Sequence, residues 1–315
     1  MTARRPPALR PGMRLGVVSP SSAVLEPSRM RRGLAAIEAL GFEVVLGDEV
    51  GQTYGYLAGT DRARADGFLA MLERDDVDGV ICLRGGYGAM RTVQAMDLER
   101  LRRLSSARPK VFVGFSDITV LHALLARELS WVTFYGPMVT TFSHASDYVV
   151  DAFRRAVMEP APVEIRPDPD DPYTETLVPG RAEGVLVGGC LSLLSTLVGT
   201  PYEPELDGRI LFFEDVDAQP YEVDRSLTHL LATGRLQRCA GIVVGEHAGC
   251  APTEPGPTLG LEQVLEDLVV PLGIPAMYHL PIGHGRHLAT VPLGVPAVLD
   301  AGARRLWTTE AAVDG

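Results

Sequence analysis

The chain has 315 residues, of which 46% are hydrophobic, and its formal net charge at pH 7 is −11. This hydrophobic content is enough for a packed core and excludes wholesale disorder, and the length suggests two domains or one large α/β unit. The negative charge argues against nucleic acid or an anionic membrane as the main partner.

The N-terminus and the cysteines give no sign of export. The first 20 residues carry positive charge but no apolar stretch before the first strand, so we expect no signal peptide. No apolar run is as long as a membrane span, which needs about 18 residues. The four cysteines form no CxxC pair and show no metal-ligand spacing, and nothing requires an oxidising compartment. We therefore expect a soluble cytoplasmic protein without a metal or cofactor.

Strand-like and helix-like segments alternate through the first half of the chain. Apolar runs that stop at small or polar residues predict strands, and apolar residues at helical spacing predict helices. The strand segments are RLGVVSP, FEVVLG, VDGVICLRGGYG, KVFVGF and WVTFYGPM, with PSRMRRGLAAIEALG and DRARADGFLAMLERDDV among the helices. Such alternation predicts a parallel sheet covered on both faces, with the ligand at the carboxyl ends of its strands.

The character of the chain changes between about residues 147 and 180. After one helix over 148–158, the stretch EPAPVEIRPDPDDPYTETLVPG is rich in Pro and Asp, which predicts a linker. The remaining strand and helix segments are bracketed by Pro and Gly and predict a smaller mixed α/β domain. We expect an N-terminal domain over 1–150, a linker over 151–180 and a C-terminal domain over 181–315.

The stretch KVFVGFSDITVLHALLA, residues 110–126, passes from strand to helix with almost no turn, at Ser116 and Asp117. A serine there holds its hydroxyl clear of the backbone, and the next amide lies at a helix N-terminus, where negative charge is favoured. This is the geometry of a nucleophile with an oxyanion donor. Both residue types also cap helices, and Ile118 replaces the second glycine of G-x-S-x-G. From this stretch alone, a simple helix cap is the favoured interpretation.

A serine nucleophile also needs a base and an orienting carboxylate. His247 follows an apolar strand, and His284 lies between glycines in PIGHGRH, which leaves its ring free to project. An ordinary loop histidine is an equally good interpretation of His284. For the carboxylate, the run RILFFEDVD ends on Glu214, Asp215 and Asp217, which could orient a histidine or form a solvated charge cluster.

A glycine-rich loop, LRGGYGAMR, follows the third predicted strand. Its glycines let the backbone approach a ligand closely, but it lacks both common phosphate-loop patterns. A second oxyanion N–H, or a carboxylate-binding Arg84, is a plausible role for it.

Six segments, taken together and in order, resemble the LD-carboxypeptidase family of serine peptidases, which includes murein tetrapeptide carboxypeptidases and microcin C immunity peptidases. They span nearly the whole chain and read YLAGTDRARADGF, ICLRGGYGAMR, VGFSDITVLH, GRAEGVLVGGCLSLLSTLVGTPYEP, ILFFEDVDAQPYEVDRSLTHLLATG and LPIGHG. The resemblance implies Ser116 as the nucleophile, Glu214 as the orienting acid and His284 as the base. It further implies an oxyanion hole from the backbone N–H groups of Gly86 and Asp117.

The resemblance also implies the architecture: a flavodoxin-like N-terminal domain joined to a smaller swivelling β/α domain, usually as a homodimer. One departure is clear, because many relatives carry GGN where this chain has Gly188, Gly189 and Cys190. The glycine pair predicts a tight turn there.

The function implied is serine-dependent removal of the terminal D-Ala from cytoplasmic murein tetrapeptides, in peptidoglycan recycling. Arg84 is the expected partner of the terminal carboxylate, with Gly85 and Tyr87 beside it. Microcin-type peptidases cut peptidyl-nucleotides and tend to carry an aromatic residue in an extra loop. The two tryptophans here, Trp131 and Trp307, lie outside residues 140–180, which favours murein. A non-catalytic module that binds a small acidic ligand is a third reading, which the complete set of serine, acid and histidine disfavours.

Overall fold

The computed structural model describes residues 3–167, 170, 173–253 and 256–315, which form two β-sheets with helices packed against them. The strands in this part of the chain are β1 (Arg14–Val18), β2 (Glu43–Leu46), β3 (Gly79–Cys82), β4 (Val111–Gly114), β5 (Thr133–Tyr135), β6 (Pro162–Ile165), β7 (Glu175–Val178), β8 (Arg181–Cys190), β9 (Ile210–Val216), β10 (Gly241–Ala248), β11 (Ala276–Gly283), β12 (Val291–Leu293), β13 (Pro296–Asp300) and β14 (Arg305–Ala311). The α-helices are α1 (Pro27–Ala39), α2 (Asp61–Glu73), α3 (Ala89–Gln94), α4 (Leu98–Arg102), α5 (Thr119–Leu129), α6 (Val139–Phe142), α7 (Asp147–Val157), α8 (Leu191–Leu197), α9 (Pro220–Ala232) and α10 (Leu261–Leu268).

The first sheet has the strand order β2–β1–β3–β4–β5–β12. Strands β1 to β5 are parallel and follow the 2-1-3-4-5 order of flavodoxin-like folds, while β12 pairs antiparallel with β5. Every residue of β3 and β4 is buried, as expected for parallel strands covered on both faces. The flavodoxin-like arrangement predicted for the N-terminal half is therefore confirmed.

The second sheet has the order β6–β14–β13–β8–β9–β10–β11–β7, with a parallel centre of β8 to β11 and antiparallel strands outside it. Alternate residues of β9 enter different cores, because side chains along a strand point to opposite faces. Phe212 packs into the core shared with the first sheet. Phe213 packs into a second core with residues of α8, α9 and α10. Because of this alternation, Glu214 and Asp215, the next two residues of β9, also point to opposite faces of the sheet.

The interval 151–180 differs from the expected linker. It contains most of α7 and two outer strands of the second sheet, β6 paired with β14 and β7 paired with β11; residues 168, 169, 171 and 172 lie outside the described residues. Outer strands tolerate Pro and polar residues because one side of their backbone needs no ladder partner. Their composition therefore looks like a loop in the sequence. In addition, β12 leaves the C-terminal interval and joins the first sheet.

The tight turn predicted at Gly188 and Gly189 is wrong, because both glycines lie within β8. A Cβ on Gly188 would lie 2.0 Å from the carbonyl oxygen of Phe212, and one on Gly189 would lie 2.5 Å from the Thr119 side chain. The pair is therefore a close-approach site that lets β8 pack directly on β9 and on the start of α5. Next to it, the N–H of Cys190 donates to Thr119 Oγ1 at 3.0 Å.

None of the helices in the described part of the chain is long and apolar enough to cross a membrane. All four cysteines are buried free thiols.

Candidate active site

Ser116 lies in a strained elbow between β4 and α5. Its φ is 64°, a left-handed value that is unfavourable for a residue with a side chain. Two hydrogen bonds hold it: its N–H donates to Tyr135 Oη at 2.9 Å, and Thr119 Oγ1 donates to its carbonyl at 2.7 Å. Neither the 3₁₀ turn Ser116–Ile118 nor α5 has a side-chain cap. The simple helix-cap interpretation is therefore wrong for this serine.

The side chain of Asp117 joins the elbow to the glycine-rich loop. Its Oδ2 accepts hydrogen bonds from Ser21 Oγ and, at 2.8 Å, from the N–H of Ala89, the first residue of α3. Burial raises the pKa of this carboxyl, and these two hydrogen bonds oppose the rise. The Asp117 carboxylate is thus a structural clamp.

The glycine-rich loop, residues 84–88, lies directly against the nucleophile. A Cβ on Gly85 would lie 3.1 Å from Ser116 Cβ and 3.3 Å from its Oγ. Gly86 has φ 106°, and a Cβ there would lie 2.5 Å from Ser22 Oγ. Ser22 in turn accepts the N–H of Tyr87 at 2.9 Å. These contacts bring the loop backbone beside the serine, where the sequence predicts a second oxyanion donor.

A buried guanidinium supports the same loop from behind. The Arg64 side chain is fully buried and donates to the carbonyls of Gly59 at 2.6 Å and of Gly88 at 3.4 Å. It also pairs with Asp61, at 2.6 Å. An arginine in this position satisfies carbonyls that would otherwise be buried without partners.

Glu214 and His284 meet at the carboxyl end of the second sheet. His284 Nδ1 lies 2.7 Å from Glu214 Oε2, and the carboxylate is fully buried. The imidazole ring packs against Phe115, the residue before the serine, with 4.8 Å between ring centroids. Burial lowers the pKa of His284, but the hydrogen bond and charge of Glu214 outweigh it and raise the pKa above its ordinary value. The hydrogen bond to Glu214 therefore engages Nδ1 and fixes the orientation of the imidazole ring.

Three other side chains from the same sequence segments, an acid and two histidines, make their contacts elsewhere. Asp215 faces the opposite side of β9 and accepts the N–H of Ser192 at 2.9 Å. His247 is half-buried, with its ring against Phe213. His287 Nδ1 lies 2.9 Å from Ser146 Oγ. None of these three contacts involves the elbow.

Arg84 and Tyr87 stand at the rim of this arrangement. Arg84 is half-buried and donates to the carbonyls of Gly85 and Ala23 at 3.2 and 3.1 Å. Burial, together with the nearby charge of Arg29, lowers its pKa, so two cations lie close together in an otherwise acidic protein. The Tyr87 ring is exposed and packs edge-on against Tyr56 at 5.7 Å.

Sequence reasoning missed one polar residue at the centre of the site, Tyr135. Its hydroxyl accepts the N–H of Ser116 and donates to Glu214 Oε1 at 2.5 Å. One signal was available: Tyr135 ends the strand adjacent to β4, so parallel pairing places it beside Gly114 at the start of the elbow. Residues 3–167, 170, 173–253 and 256–315 contain no cluster of His, Cys, Asp or Glu that could hold a metal ion.

A serine on a strained strand-to-helix elbow, with a histidine and a buried carboxylate nearby, is the arrangement typical of serine hydrolases on α/β folds. Family models agree with this class and define it further. The LD-carboxypeptidase N-terminal domain matches residues 15–136, and the LD-carboxypeptidase C-terminal domain matches residues 183–299. The chain therefore belongs to the LD-carboxypeptidase family.

Individual relatives support the same assignment. The chain is 38% identical over 315 residues to the probable murein peptide carboxypeptidase of Bacillus subtilis (strain 168), covering 98% of this chain and 95% of that protein. The muramoyltetrapeptide carboxypeptidase structure from Oxalobacter formigenes is 28% identical, with a TM-score of 0.79 over 93% of this chain and 97% of that one. The structure of MccF in complex with glutamyl sulfamoyl guanosine has a TM-score of 0.88 over 98% and 99% of the two chains. At 23% identity, that last likeness shows a shared fold.

Proposed function

We propose that this protein is a serine carboxypeptidase that releases the terminal D-Ala of murein tetrapeptides. One observation supports the proposal: Glu214 hydrogen-bonds His284 at 2.7 Å, and the ring of this histidine packs against Phe115, the residue before Ser116. The name of the Bacillus relative and the likeness to a muramoyltetrapeptide carboxypeptidase support the substrate class.

The reaction would proceed through an acyl-enzyme. His284 takes the proton of the Ser116 hydroxyl while the oxygen attacks the scissile carbonyl, and the resulting imidazolium then protonates the leaving amine of D-Ala. Water, deprotonated by the same histidine, releases the acyl group and regenerates the serine. Glu214 holds the imidazole in the required tautomer and stabilises its charged form.

The oxyanion of each tetrahedral intermediate would be held by the backbone N–H groups of Asp117 and Gly86. The first lies at the start of the 3₁₀ turn, and the second lies in the loop that packs on Ser116. One such donor typically contributes about 3 kcal/mol to the transition state. The Asp117 carboxylate clamp and the buried Arg64 keep these two backbone segments in a fixed relation.

Arg84, with Arg29 behind it, would pair the terminal carboxylate of an acidic peptide, and Gly85 and Tyr87 would line the same end of the site. Local positive charge is needed there because the protein as a whole is acidic. The proposal includes a cytoplasmic location, a homodimer and a division into domains at about residues 150 and 181.

The test is D-Ala release from a purified murein tetrapeptide, comparing the wild type with Ser116→Ala. Ser130→Ala is a matched control, because Ser130 also has a left-handed φ, 52°, but ends α5 at the other end of that helix. We expect release by the wild type and by Ser130→Ala, and none by Ser116→Ala. Equal release by Ser116→Ala would refute the serine mechanism.

Absence of release from every variant would refute the murein substrate and direct the search to peptidyl-nucleotides. The tryptophans argue against that alternative: Trp131 is buried, and Trp307 lies in β14 with two arginine guanidinium groups against its ring. Tight binding of the peptide by the wild type without turnover would instead indicate a binding module.

A further inference from the structure

The hydroxyl of Tyr135 is the only group among the described residues that hydrogen-bonds both the nucleophile's backbone and the triad acid. It accepts the Ser116 N–H at 2.9 Å and donates to Glu214 Oε1 at 2.5 Å. Ser116 belongs to the first sheet's elbow and Glu214 to β9 of the second sheet. A single phenol therefore spans the junction between the two halves of the site.

The phenol ring is held firmly enough to position both partners. Tyr135 is fully buried, and its ring packs against Phe212 at 5.2 Å, His122 at 5.9 Å and Phe115 at 6.1 Å between centroids. Burial, reinforced by the neighbouring Glu214 charge, raises the pKa of the phenol well above its ordinary value. The hydroxyl therefore keeps its proton, and it stays a donor to the carboxylate at any working pH.

The two oxygens of Glu214 have different partners. Oε2 meets His284 Nδ1, and Oε1 receives the Tyr135 hydroxyl, so the carboxylate cannot rotate without losing one of them. The same hydroxyl satisfies the Ser116 N–H, which the strained backbone turns away from the helix that follows. A phenylalanine at this position would fill the same space but would make neither of the two hydrogen bonds.

We propose that Tyr135 is a positioning residue that orients Glu214 toward His284 and, through the same hydroxyl, fixes the elbow of Ser116. This inference rests on the proposed function of the triad. It assigns no contact with substrate to Tyr135, and it predicts that Tyr135 acts on the reaction through Glu214.

Loss of the hydroxyl has a definite electrostatic sign. The Tyr135 hydrogen bond draws negative charge toward Oε1, so Tyr135→Phe leaves more charge at Oε2 and favours the imidazolium of His284. The pKa of His284 then rises, and the acid limb of kcat/KM moves to higher pH. The other charged side chains on the elements around His284 remain in place in this variant: Arg84, Asp117, Asp215, Asp217 and Glu246.

The first experiment compares Tyr135→Phe with the wild type in D-Ala release across pH. Loss of a hydrogen bond to a charged group predicts a fall in kcat of about 10- to 100-fold, with little change in KM and an acid limb at higher pH. Tyr148→Phe is the matched control, since its hydroxyl donates to the Arg166 carbonyl at 2.6 Å, and it should match the wild type. An unchanged kcat and acid limb in Tyr135→Phe would overturn the inference.

A double-mutant cycle separates positioning from general loosening of the fold. If Tyr135 acts on the reaction through Glu214, Tyr135→Phe should lower kcat much less in the Glu214→Gln background than in the wild type, and only its contact with the Ser116 N–H should still contribute there. Full additivity of the two losses would show that Tyr135 does not work through Glu214.

Two further measurements keep the inference testable if Tyr135→Phe does not fold or if the wild type releases no D-Ala. If Tyr135→Phe does not fold, 3,5-difluorotyrosine at position 135 keeps the ring and makes a stronger donor, which should shift the acid limb to lower pH; no shift would overturn the inference. If the wild type releases no D-Ala, the proposed function fails by itself. NMR titration of the His284 imidazole then decides the inference without substrate, and equal pKa values in wild type and Tyr135→Phe would overturn it.

Discussion

The two halves of the candidate site are built in different ways. The nucleophile half is local: Ser116, its strained backbone and the following helix come from consecutive residues after β4. The acid–base half is assembled from a distance, because Glu214 and His284 are 70 residues apart. Glu214 lies in β9 and His284 directly follows β11, and these two strands are separated in the sheet by β10.

Two glycines leave the space that the acid–base half of the site needs. A Cβ on Gly245 of β10 would lie 3.1 Å from Glu214 Cβ and 2.4 Å from the carbonyl oxygen of Ile282, and one on Gly283 would lie 2.4 Å from Glu214 Oε2. The missing side chains leave the space through which Glu214 reaches over β10 to His284. A local elbow can therefore be recognised in a contiguous segment, whereas an assembled pair depends on small residues at several separate positions.

The strongest way to break the assembled half is to remove its base. His284→Ala should reduce kcat/KM for D-Ala release by about 10⁴-fold or more, as expected for a member of a catalytic triad. His287→Ala, which loses contacts to Ser146 and the Tyr148 ring, should stay within a few-fold of the wild type. The reverse ranking would identify His287 as the base.

The acid offers a matched pair of neighbours on opposite faces of one strand. Glu214→Gln removes the charge that orients and stabilises the imidazole and should lower kcat by about 10³- to 10⁴-fold. Asp215→Asn weakens a bond to the Ser192 N–H on the other face and should have a small effect. Equal losses in kcat would move the orienting role away from Glu214.

The space left by these glycines can be filled without replacing any of Ser116, Glu214 and His284. Gly283→Ala places a methyl group against Glu214 Oε2 and should lower kcat by about 10- to 100-fold through displacement of the carboxylate. Gly273→Ala is the control, because Gly273 also has a positive φ, 66°, but no atom lies within 4 Å of the added Cβ. Both variants should lose thermal stability because of backbone strain. Only Gly283→Ala should also have a lower kcat. Similar kcat in the two would mean that the space is not needed.

The same contrast explains how far the sequence could predict the structure. Alternating apolar runs predicted the parallel sheet of the first half of the chain. The motif resemblance selected Ser116, Glu214 and His284; the structure pairs Glu214 with His284 and packs the His284 ring against Phe115, beside Ser116. The outer strands β6 and β7 were missed because their Pro- and Asp-rich composition is also typical of loops. Gly188 and Gly189 were read as a turn because a close approach between elements leaves no local signal.

Tyr135 was missed for a related reason. Its hydrogen-bond partners are 19 and 79 residues away, and within its own segment it is one more apolar residue at a strand end. Its role depends on the polar tip alone, which local periodicity does not reveal. Side chains that connect two distant parts of a site become visible only when both parts are placed.

The smallest effect is expected in the pH dependence, and it tests whether the assembled pair behaves as one unit. Burial lowers the pKa of His284, but Glu214, with smaller contributions from Asp215 and Asp217, raises this pKa above the ordinary histidine value of 6.5. A general base must be neutral, so kcat/KM should reach half its maximum at a pH above 6.5 and fall below that. In Glu214→Gln, burial acts without the compensating charge, and the residual activity should show its midpoint at lower pH than the wild type.

The contribution of His284 to the free energy of unfolding should change with pH in the opposite direction to activity. A raised folded-state pKa stabilises the fold at low pH, and this contribution disappears as pH rises through that pKa. A wild-type midpoint below 6.5, measured alongside thermal melts over the same pH range, would show that Glu214 does not control the base.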